Sequence, residues 1–594
     1  MTPPSLDQTS AADRNVGLAR LIVGIAAGLS LYALHHAADL KVWPAIDVSL
    51  FAALSLTAAF SPLVLLAGAG QVRHLTMAVW FVAAASVCAV FAGFHASNAL
   101  PDTDSAFPDF PSGLAAAAFL FIAHHLIVPA DAGRKWIAPY PAYFDRAWLD
   151  GVQLALAIAF TGAFWLVLQI GAALFGLIGL KGFETFIHHD WFAFPATAVM
   201  FAVGVHLGDV RVGLTRGLRT VGLILLSWLL PLMGLMALAF VVALPFTGLA
   251  RLWKAGAATG VLLGAMGALI ILINAAYQDG ENMAPAVQKW AARITALVLL
   301  PLAGVAAYGL ALRVGEHGLT PQRIRAGACV LVAACYAIGY AYSAVRPGGW
   351  MRRLAATNLA VAPLILVLLA ALFTPIADPV RLSVDDQIGR LQNGRAPVAK
   401  FDFRFLRFDA GQYGLAKLHG LAERALGPNA GAIRAAAENA LKLENRYADD
   451  STSGPPQFVV YPKGANLPAD FMTAADVRGL EDCNSSPCDA FLVKVDPGDS
   501  DDIIVLSGGG LAMFSRDTVT GVWGRAGRMW NGNCSETLLN LRAGQATLVP
   551  VRRPALDLLA GGRRFSFMQD SPTPMACPVK PSTPSPAPRP SIAR

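Results

Sequence analysis

Charge is scarce in this chain. Asp, Glu, Lys and Arg make up 14% of its 594 residues, against about a quarter in an ordinary soluble domain. So few charges cannot clothe a water-facing surface of ordinary size, and the 55% hydrophobic content needs more than a protein core to hide in. Cysteine is scarce too, at seven residues, which excludes a disulfide-dense secreted scaffold. Several reactive motifs are missing: the G-x-S-x-G nucleophile elbow, the H-E-x-x-H zinc helix and the protein-kinase signature. Ser507-Gly508-Gly509-Gly510 is glycine-rich but lacks the Lys-Ser/Thr of a phosphate-binding loop. The N-terminus is polar (residues 2–15) and no A-x-A-like cleavage site follows the first apolar stretch, so no secretory signal peptide is read. The net charge is +7, yet Lys and Arg fall in short clusters between apolar segments and form no continuous basic face. Nucleic acid is therefore not an expected partner.

Long apolar runs are what the chain has in excess. A hydrocarbon core about 30 Å thick demands about 20 mostly apolar residues per helix. Eleven stretches meet that demand, at 16–34, 48–68, 75–94, 113–128, 152–180, 192–208, 220–244, 256–276, 291–312, 324–345 and 354–373. They must be helices, because a lone strand leaves its backbone polar groups unpaired in lipid. The predicted fold class is mainly α: a polytopic transmembrane bundle of about 11 spans, followed by a small α+β soluble domain. The expected division is a polar tail (1–15), the bundle (16–373), a helical membrane-proximal region (374–450), a β-rich domain (451–577) and a disordered Pro/Ser-rich tail (578–594). The lipid bilayer is the expected environment.

Lys and Arg in the short loops favour a cytoplasmic N-terminus, with Arg73, Arg134, Lys135, Arg216, Arg219, Arg352 and Arg353 on that side and the acidic loop 101–109 on the other. An odd number of spans then places the C-terminal domain in the periplasm. Cysteine usage agrees. Cys88, Cys329 and Cys335 lie in spans, whereas Cys483, Cys488, Cys534 and Cys577 lie in the soluble part, an even set suited to an oxidising compartment. Pairing Cys483 with Cys488 across the turn-like Asn484-Ser485-Ser486-Pro487 leaves Cys534 for Cys577. No metal site and no cofactor is expected there, since C-x4-C is outside the usual zinc spacing.

Beyond the last span, residues 383–447 read as helical with Gly/Pro/Asn breaks, and strand-like runs follow at 458–461, 491–495, 503–506, 511–515, 546–549 and 564–568. In the run Phe401–Asp409, helical spacing puts Phe401, Phe405 and Phe408 on one face, either to dock on the membrane or to sit in a domain core.

Three segments carry a resemblance. Asn274-Ala275-Ala276-Tyr277-Gln278-Asp279-Gly280 closes the eighth span, His317-Gly318-Leu319-Thr320-Pro321-Gln322-Arg323 joins the ninth and tenth, and residues 403–414 read FRFLRFDAGQYG. Together they resemble the DUF4153 family of bacterial inner-membrane proteins, best over residues 165–414. The resemblance implies a multi-pass inner-membrane protein, marks Gly318, Leu319, Thr320, Arg323, Phe405, Arg407 and Asp409 as motif positions, and implies no catalytic residue.

Polar groups at membrane depth are the candidate sites. Asn274, Tyr277, Asp279 and Glu281 form the densest set, readable as a ligand or proton site or as a helix cap with an interhelical hydrogen bond. His206 and Asp209 share a helical face, with Arg211 as the expected ion-pair partner of Asp209. Arg20 is expected to snorkel to the interface. The clusters His35-His36 with Asp39 and His188-His189-Asp190 make poor chelates, because adjacent histidines diverge, and His124-His125 is similarly weak. Gly24…Gly28, Gly204…Gly208 and Gly260…Gly264 read as close-packing positions. Asp102 and Asp104 allow a lipid-linked glycosyltransferase, for which no second carboxylate is found. The expected function is a non-enzymatic envelope scaffold or sensor, with an envelope partner held by the C-terminal domain. The alternative is a secondary transporter or channel. A filled bundle would favour the first and a polar cavity the second.

Overall fold

The computed structural model describes residues 6–443 except 101–108, 211, 250–257, 282–283 and 347–349. It then describes 446, 456–474, 477, 480, 483, 487–493, 502–507, 510–517, 521–529, 541–543, 558–560 and 563–565. Cys534, Cys577, Asp102, Asp104, Arg211, the run 546–549 and the terminal tail lie outside the described residues. The chain divides into two compact units, 1–443 and 444–594.

The first unit is a helix bundle. Eleven of its helices are long and apolar enough to cross a membrane, and the chain is a multi-pass membrane protein. They are α1 (Leu6–Asp39), α2 (Val48–Gly68), α3 (His74–Ser97), α4 (Phe110–Ala132), α5 (Tyr140–Leu177), α7 (Asp190–Val210), α8 (Val212–Thr247), α9 (Ala258–Tyr277), α10 (Ala286–His317), α11 (Pro321–Val345) and α12 (Leu354–Leu372); α6 (Gly182–Ile187) is a short helix between α5 and α7. Side chains such as Leu225, Leu235, Val242 and Val261 are more than half exposed on the bundle's outside, where acyl chains rather than water must meet them. The interior is closed by Leu, Ile, Met and Ala from α8 to α12, centred on Met266, Leu269, Ile273 and Leu299.

Small residues decide which helices approach. A Cβ on Gly24 would sit 2.9 Å from Ala202 Cβ, and one on Gly28 would sit 2.5 Å from Pro195 Cα, so α1 and α7 run antiparallel in near-backbone contact. Gly204 and Gly208 do the same for α5, against Ala157 (2.9 Å) and Gln153 (2.9 Å). Gly260 and Gly264 meet nothing within 4 Å and are not a packing seam.

After α12, three more helices belong to this unit: α13 (Pro379–Gln392), α14 (Gly411–Arg424) and α15 (Ala430–Leu441). Their core holds Val384, Leu391, Leu406, Leu418, Leu421, Ile433 and Ala437. The Phe401–Asp409 run belongs to that core, but with a different face from the one helical spacing predicts. A π-helical turn over Phe405–Asp409 shifts the register, so Phe403 and Leu406 are buried while Phe401, Phe405 and Phe408 are half-buried.

Of the motif positions, Gly318 and Leu319 join these helices to the bundle. Gly318, with φ of 75°, ends α10 where a Cβ would lie 2.8 Å from Asp386 Oδ2. Leu319 N donates to Asp386 Oδ2 (2.7 Å), and Leu319 O accepts from Ser383 Oγ (3.0 Å) and Gln387 Nε2 (2.8 Å). Thr320 caps α11 by accepting from Arg323 N (3.3 Å), and Arg323 Nη1 reaches back to Gly318 O (2.6 Å). Phe405 N donates to Asp402 Oδ1 (2.9 Å), Arg407 lies 5.1 Å over the Phe408 ring, and Asp409 is exposed at the end of the turn. Asn98, after α3, accepts from Gln412 N (2.8 Å) and Tyr413 N (3.0 Å). Asn98 and Leu319 both lie at the helix ends from which α13 emerges, as alternation of eleven spans requires. We call those ends the C-terminal face.

The second unit holds a five-stranded sheet of β1 (Phe458–Tyr461), β2 (Cys488–Val493), β3 (Asp502–Ser507), β4 (Gly510–Arg516) and β5 (Trp523–Met529), in that spatial order. β1 and β2 are parallel and the other neighbours antiparallel. A separate pair, β6 (Leu558–Ala560) with β7 (Arg563–Phe565), follows. The core is Phe471, Ile503, Val505, Phe514 and Trp523. Cys483 and Cys488 are disulfide-bonded, and Cys488 N donates to Gln457 O (2.9 Å), which ties the bridge to the start of β1.

Candidate functional site

The bundle interior contains a polar layer that adjacent-residue spacing did not reveal. It lies toward the face opposite the C-terminal one. Arg20, from α1, is 1% exposed. It does not snorkel. Its Nε donates to Leu66 O (2.9 Å) and its Nη2 pairs with Asp209 of α7. Asp209 Oδ1 also accepts from Gln153 Nε2 of α5 (3.0 Å), whose amide reaches Val205 O as well (2.7 Å). The partner of Asp209 is thus a helix away. His206 instead packs on Gly17 of α1, where a Cβ would come within 2.8 Å of His206 Nε2, and no hydrogen bond joins it to Asp209 among the described residues.

Beside this pair, α4 and α5 bring His124, His125, Arg146 and Asp150 together. His125 Nδ1 lies 2.6 Å from Phe121 O one turn back, and His125 Nε2 lies 3.1 Å from Asp150 Oδ2. Both neighbours are acceptors. Arg146 Nε donates to the same Oδ2 (2.7 Å), so one carboxylate oxygen meets both the imidazole and the guanidinium. His124 accepts from Trp80 Nε1 at Nδ1 (3.2 Å), so its proton sits on Nε2. That nitrogen is buried without a hydrogen-bond partner, on a residue only 4% exposed.

Cavities adjoin these groups. One of about 150 Å³ is lined by His124, His125, Asp150 and Gln153 together with apolar residues of α2, α4, α5 and α7. A second, of about 210 Å³, has His125 in its wall too, with Tyr140, Asn274 and Asn358. The third, about 520 Å³, lies toward the C-terminal face beside Leu31, Leu34, Asp109 and Phe194, and shares Phe60 and Ala117 with the first. Phe121 and His125 thus line both the first and the second.

Of the set that closes the eighth span, the fold joins two residues and leaves two apart. Asn274 Nδ2 donates to Tyr340 Oη (2.7 Å) and to Ile270 O (2.8 Å), while Asn358 Nδ2 donates to Asn274 Oδ1 (2.6 Å) and Tyr140 Oη (2.9 Å). Tyr340 Oη completes the ring by donating to Asn358 Oδ1 (2.5 Å). Four side chains from α5, α9, α11 and α12 thus satisfy one another. The Tyr277 ring lies 6.1 Å from that of Tyr140, so it meets the same neighbour as Asn274. Asp279 Oδ1 accepts from Glu281 N (3.0 Å) in an exposed turn, Glu281 is exposed, and neither residue lines the three cavities.

The residues missed by sequence reasoning are Trp80, Arg146, Asp150, Gln153, Tyr140, Tyr340 and Asn358; His125 was read only as half of a weak metal cluster. One signal was available: Arg146, Asp150 and Gln153 recur at i, i+4, i+7, a polar stripe leading into an apolar helix. No family model, no curated protein and no solved structure matches the chain.

Proposed function

We propose that this multi-pass protein is a proton-linked transport protein of a bacterial inner membrane, with the N-terminus cytoplasmic and the C-terminal domain periplasmic. The observation that carries the reading is His125, which contacts Asp150 and stands in the walls of two cavities. A buried imidazole–carboxylate contact is one of the few arrangements of side chains that can hold or release a proton near neutral pH. Lining two cavities, it can take a proton from one and yield it to the other. Intramembrane ionisable groups are expensive and are kept where an ion or substrate passes. The scaffold reading calls for a filled bundle; the three cavities leave it less than filled, but their walls are mainly apolar, so the proton reading rests on the His125–Asp150 contact.

Orientation rests on the excess of Lys and Arg in the loops opposite the C-terminal face and on the Cys483–Cys488 disulfide, which suits a periplasmic domain. The DUF4153 resemblance supports the same membrane. Of its motif positions, Gly318 and Leu319 are accounted for as the joint that seats α13, and a partner protein on the C-terminal domain is kept as a further part of this proposal.

The test is pH-difference infrared spectroscopy on the protein reconstituted in liposomes, titrated between about pH 5 and 8. A carboxyl band present in the wild type and lost in Asp150→Asn, with imidazole bands lost in His125→Gln, is the expected result. A proton flux into the same liposomes under an imposed membrane potential, abolished by both variants, is the functional counterpart. No pH-dependent band and no flux above protein-free liposomes would remove the proton from the mechanism.

A further inference from the structure

Neither His35-His36 with Asp39 nor His188-His189-Asp190 is a chelate by itself. The fold takes one side from each. His35 Nε2 lies 3.5 Å from Asp39 Oδ2, one turn on along α1, and 3.4 Å from Asp190 Oδ2 at the start of α7. All three ligand atoms fall within 4.8 Å of one another, the one such group of three among the described residues.

We propose that His35, Asp39 and Asp190 bind a divalent cation of the zinc class at the C-terminal face. The separations fit the ion. Tetrahedral zinc with bonds of about 2.1 Å holds neighbouring ligands 1.63 bond lengths apart, or about 3.4 Å, and both histidine–carboxylate separations match that edge. The donors fit as well. Two carboxylates converge on one imidazole there, a donor set that a divalent cation matches.

The site is held in advance by the helix pair that carries it. Gly24 and Gly28 bring α1 within backbone contact of α7, and the His35 ring rests 5.1 Å from that of Phe194, one turn beyond Asp190. The Arg20–Asp209 pair clamps the same two helices at the other end of the seam. A cation here would clamp the C-terminal-face end, beside Leu31, Leu34 and Phe194, which line the 520 Å³ cavity. With three protein ligands and partly exposed side chains, the fourth position is left for water, the pattern of an exchangeable site rather than a closed structural one.

The experiment uses the full chain with a tag free of histidine, in detergent, stripped with chelator and then desalted after exposure to zinc chloride. Bound zinc is read by elemental mass spectrometry, and heat-induced aggregation with and without zinc is compared. The wild type should retain one more equivalent of zinc than His35→Gln, and the zinc-dependent rise in aggregation temperature should vanish in His35→Gln and Asp190→Asn. Asp39→Asn keeps the ring and the helix intact and should weaken retention at least tenfold. Equal zinc in wild type and all three variants, or no zinc-dependent rise in the wild type, overturns the proposal.

Discussion

Asp209→Ala should be among the most damaging single changes in the bundle, and far worse than removing its partner. The Arg20 guanidinium is 1% exposed, with Nη1 already lacking a hydrogen-bond partner. Without Asp209 it keeps, among the described residues, only the bond from Nε to Leu66 O. Leaving such a charge buried and uncompensated costs about 3–5 kcal/mol, which is comparable to a large part of the roughly 5–15 kcal/mol by which proteins are stable. Arg20→Met is a different case. The Asp209 side chain is 32% exposed and retains its hydrogen bond from Gln153, so water can solvate it and the loss should be nearer 1–2 kcal/mol. The double variant Arg20→Met/Asp209→Leu removes both charges and should sit close to wild type, as apolar replacements of buried pairs often do. The assay is monodisperse protein after a heat step, followed by fluorescence-detected size exclusion and arranged as a double-mutant cycle. The required order is wild type and double variant, then Arg20→Met, then Asp209→Ala. An Asp209→Ala protein as heat-resistant as Arg20→Met would refute the asymmetry, and with it the claim that Arg20 is buried.

Three further outcomes follow from local geometry. Gly28→Val drives a side chain into Pro195 Cα, 2.5 Å from its Cβ, and should abolish the monodisperse peak, whereas Gly260→Ala meets open space and should leave it unchanged. Removing the disulfide by Cys483→Ser/Cys488→Ser opens a short loop and should destabilise the sheet by about 2 kcal/mol on chain-entropy grounds; free-thiol labelling of the intact protein checks that the bridge forms, and full reactivity of both thiols would deny it. The third concerns pH. Burial works to raise the Asp385 carboxyl, but hydrogen bonds from Lys417 and Tyr413 outweigh it and hold it below the ordinary range, while the same carboxylate raises the Lys417 ammonium. Asp385 therefore stabilises fully above its unfolded value, near 3.8, and loses its contribution as pH falls through the lower folded value. Lys417 stabilises fully below its unfolded value and loses its contribution as pH rises through the higher folded one. The α13–α14 contact should thus be tightest between about pH 5 and 9 and loosen in acid, by well under 1 kcal/mol because both side chains are substantially exposed. Hydrogen exchange over α13 and α14 reads this, and flat protection down to about pH 3 would contradict it.

How much of this was legible beforehand follows from the range over which each force acts. Span-length apolar runs are local: lipid demands a helix of that length, so eleven spans, their alternation and the break after α12 could be read one segment at a time. The Cys483–Cys488 bridge spans one turn, and the strands β1 to β4 carry their own apolar residues, so these too were legible. β5 was not. Trp523-Gly524-Arg525-Ala526-Gly527-Arg528-Met529 has little strand character and is held as a strand by its pairing with β4. Gly24 and Gly28 were readable as small residues on one face, but the same pattern at Gly260 and Gly264 finds no neighbour, because a seam needs a second helix to face it.

The candidate sites show the same limit more sharply. The residues themselves determined that Arg20, Asp209, His35, Asp190, Asn274 and His125 are polar groups in or beside apolar helices, and that such groups must find partners. They did not determine which. Each partner lies on another helix: Asp209 for Arg20, Asp190 for His35, Asp150 for His125, Tyr340 and Asn358 for Asn274. Apolar length acts through the solvent and is indifferent to which helix is next. Hydrogen bonds and ion pairs act over about 3 Å between particular atoms, so only the packed bundle could choose them.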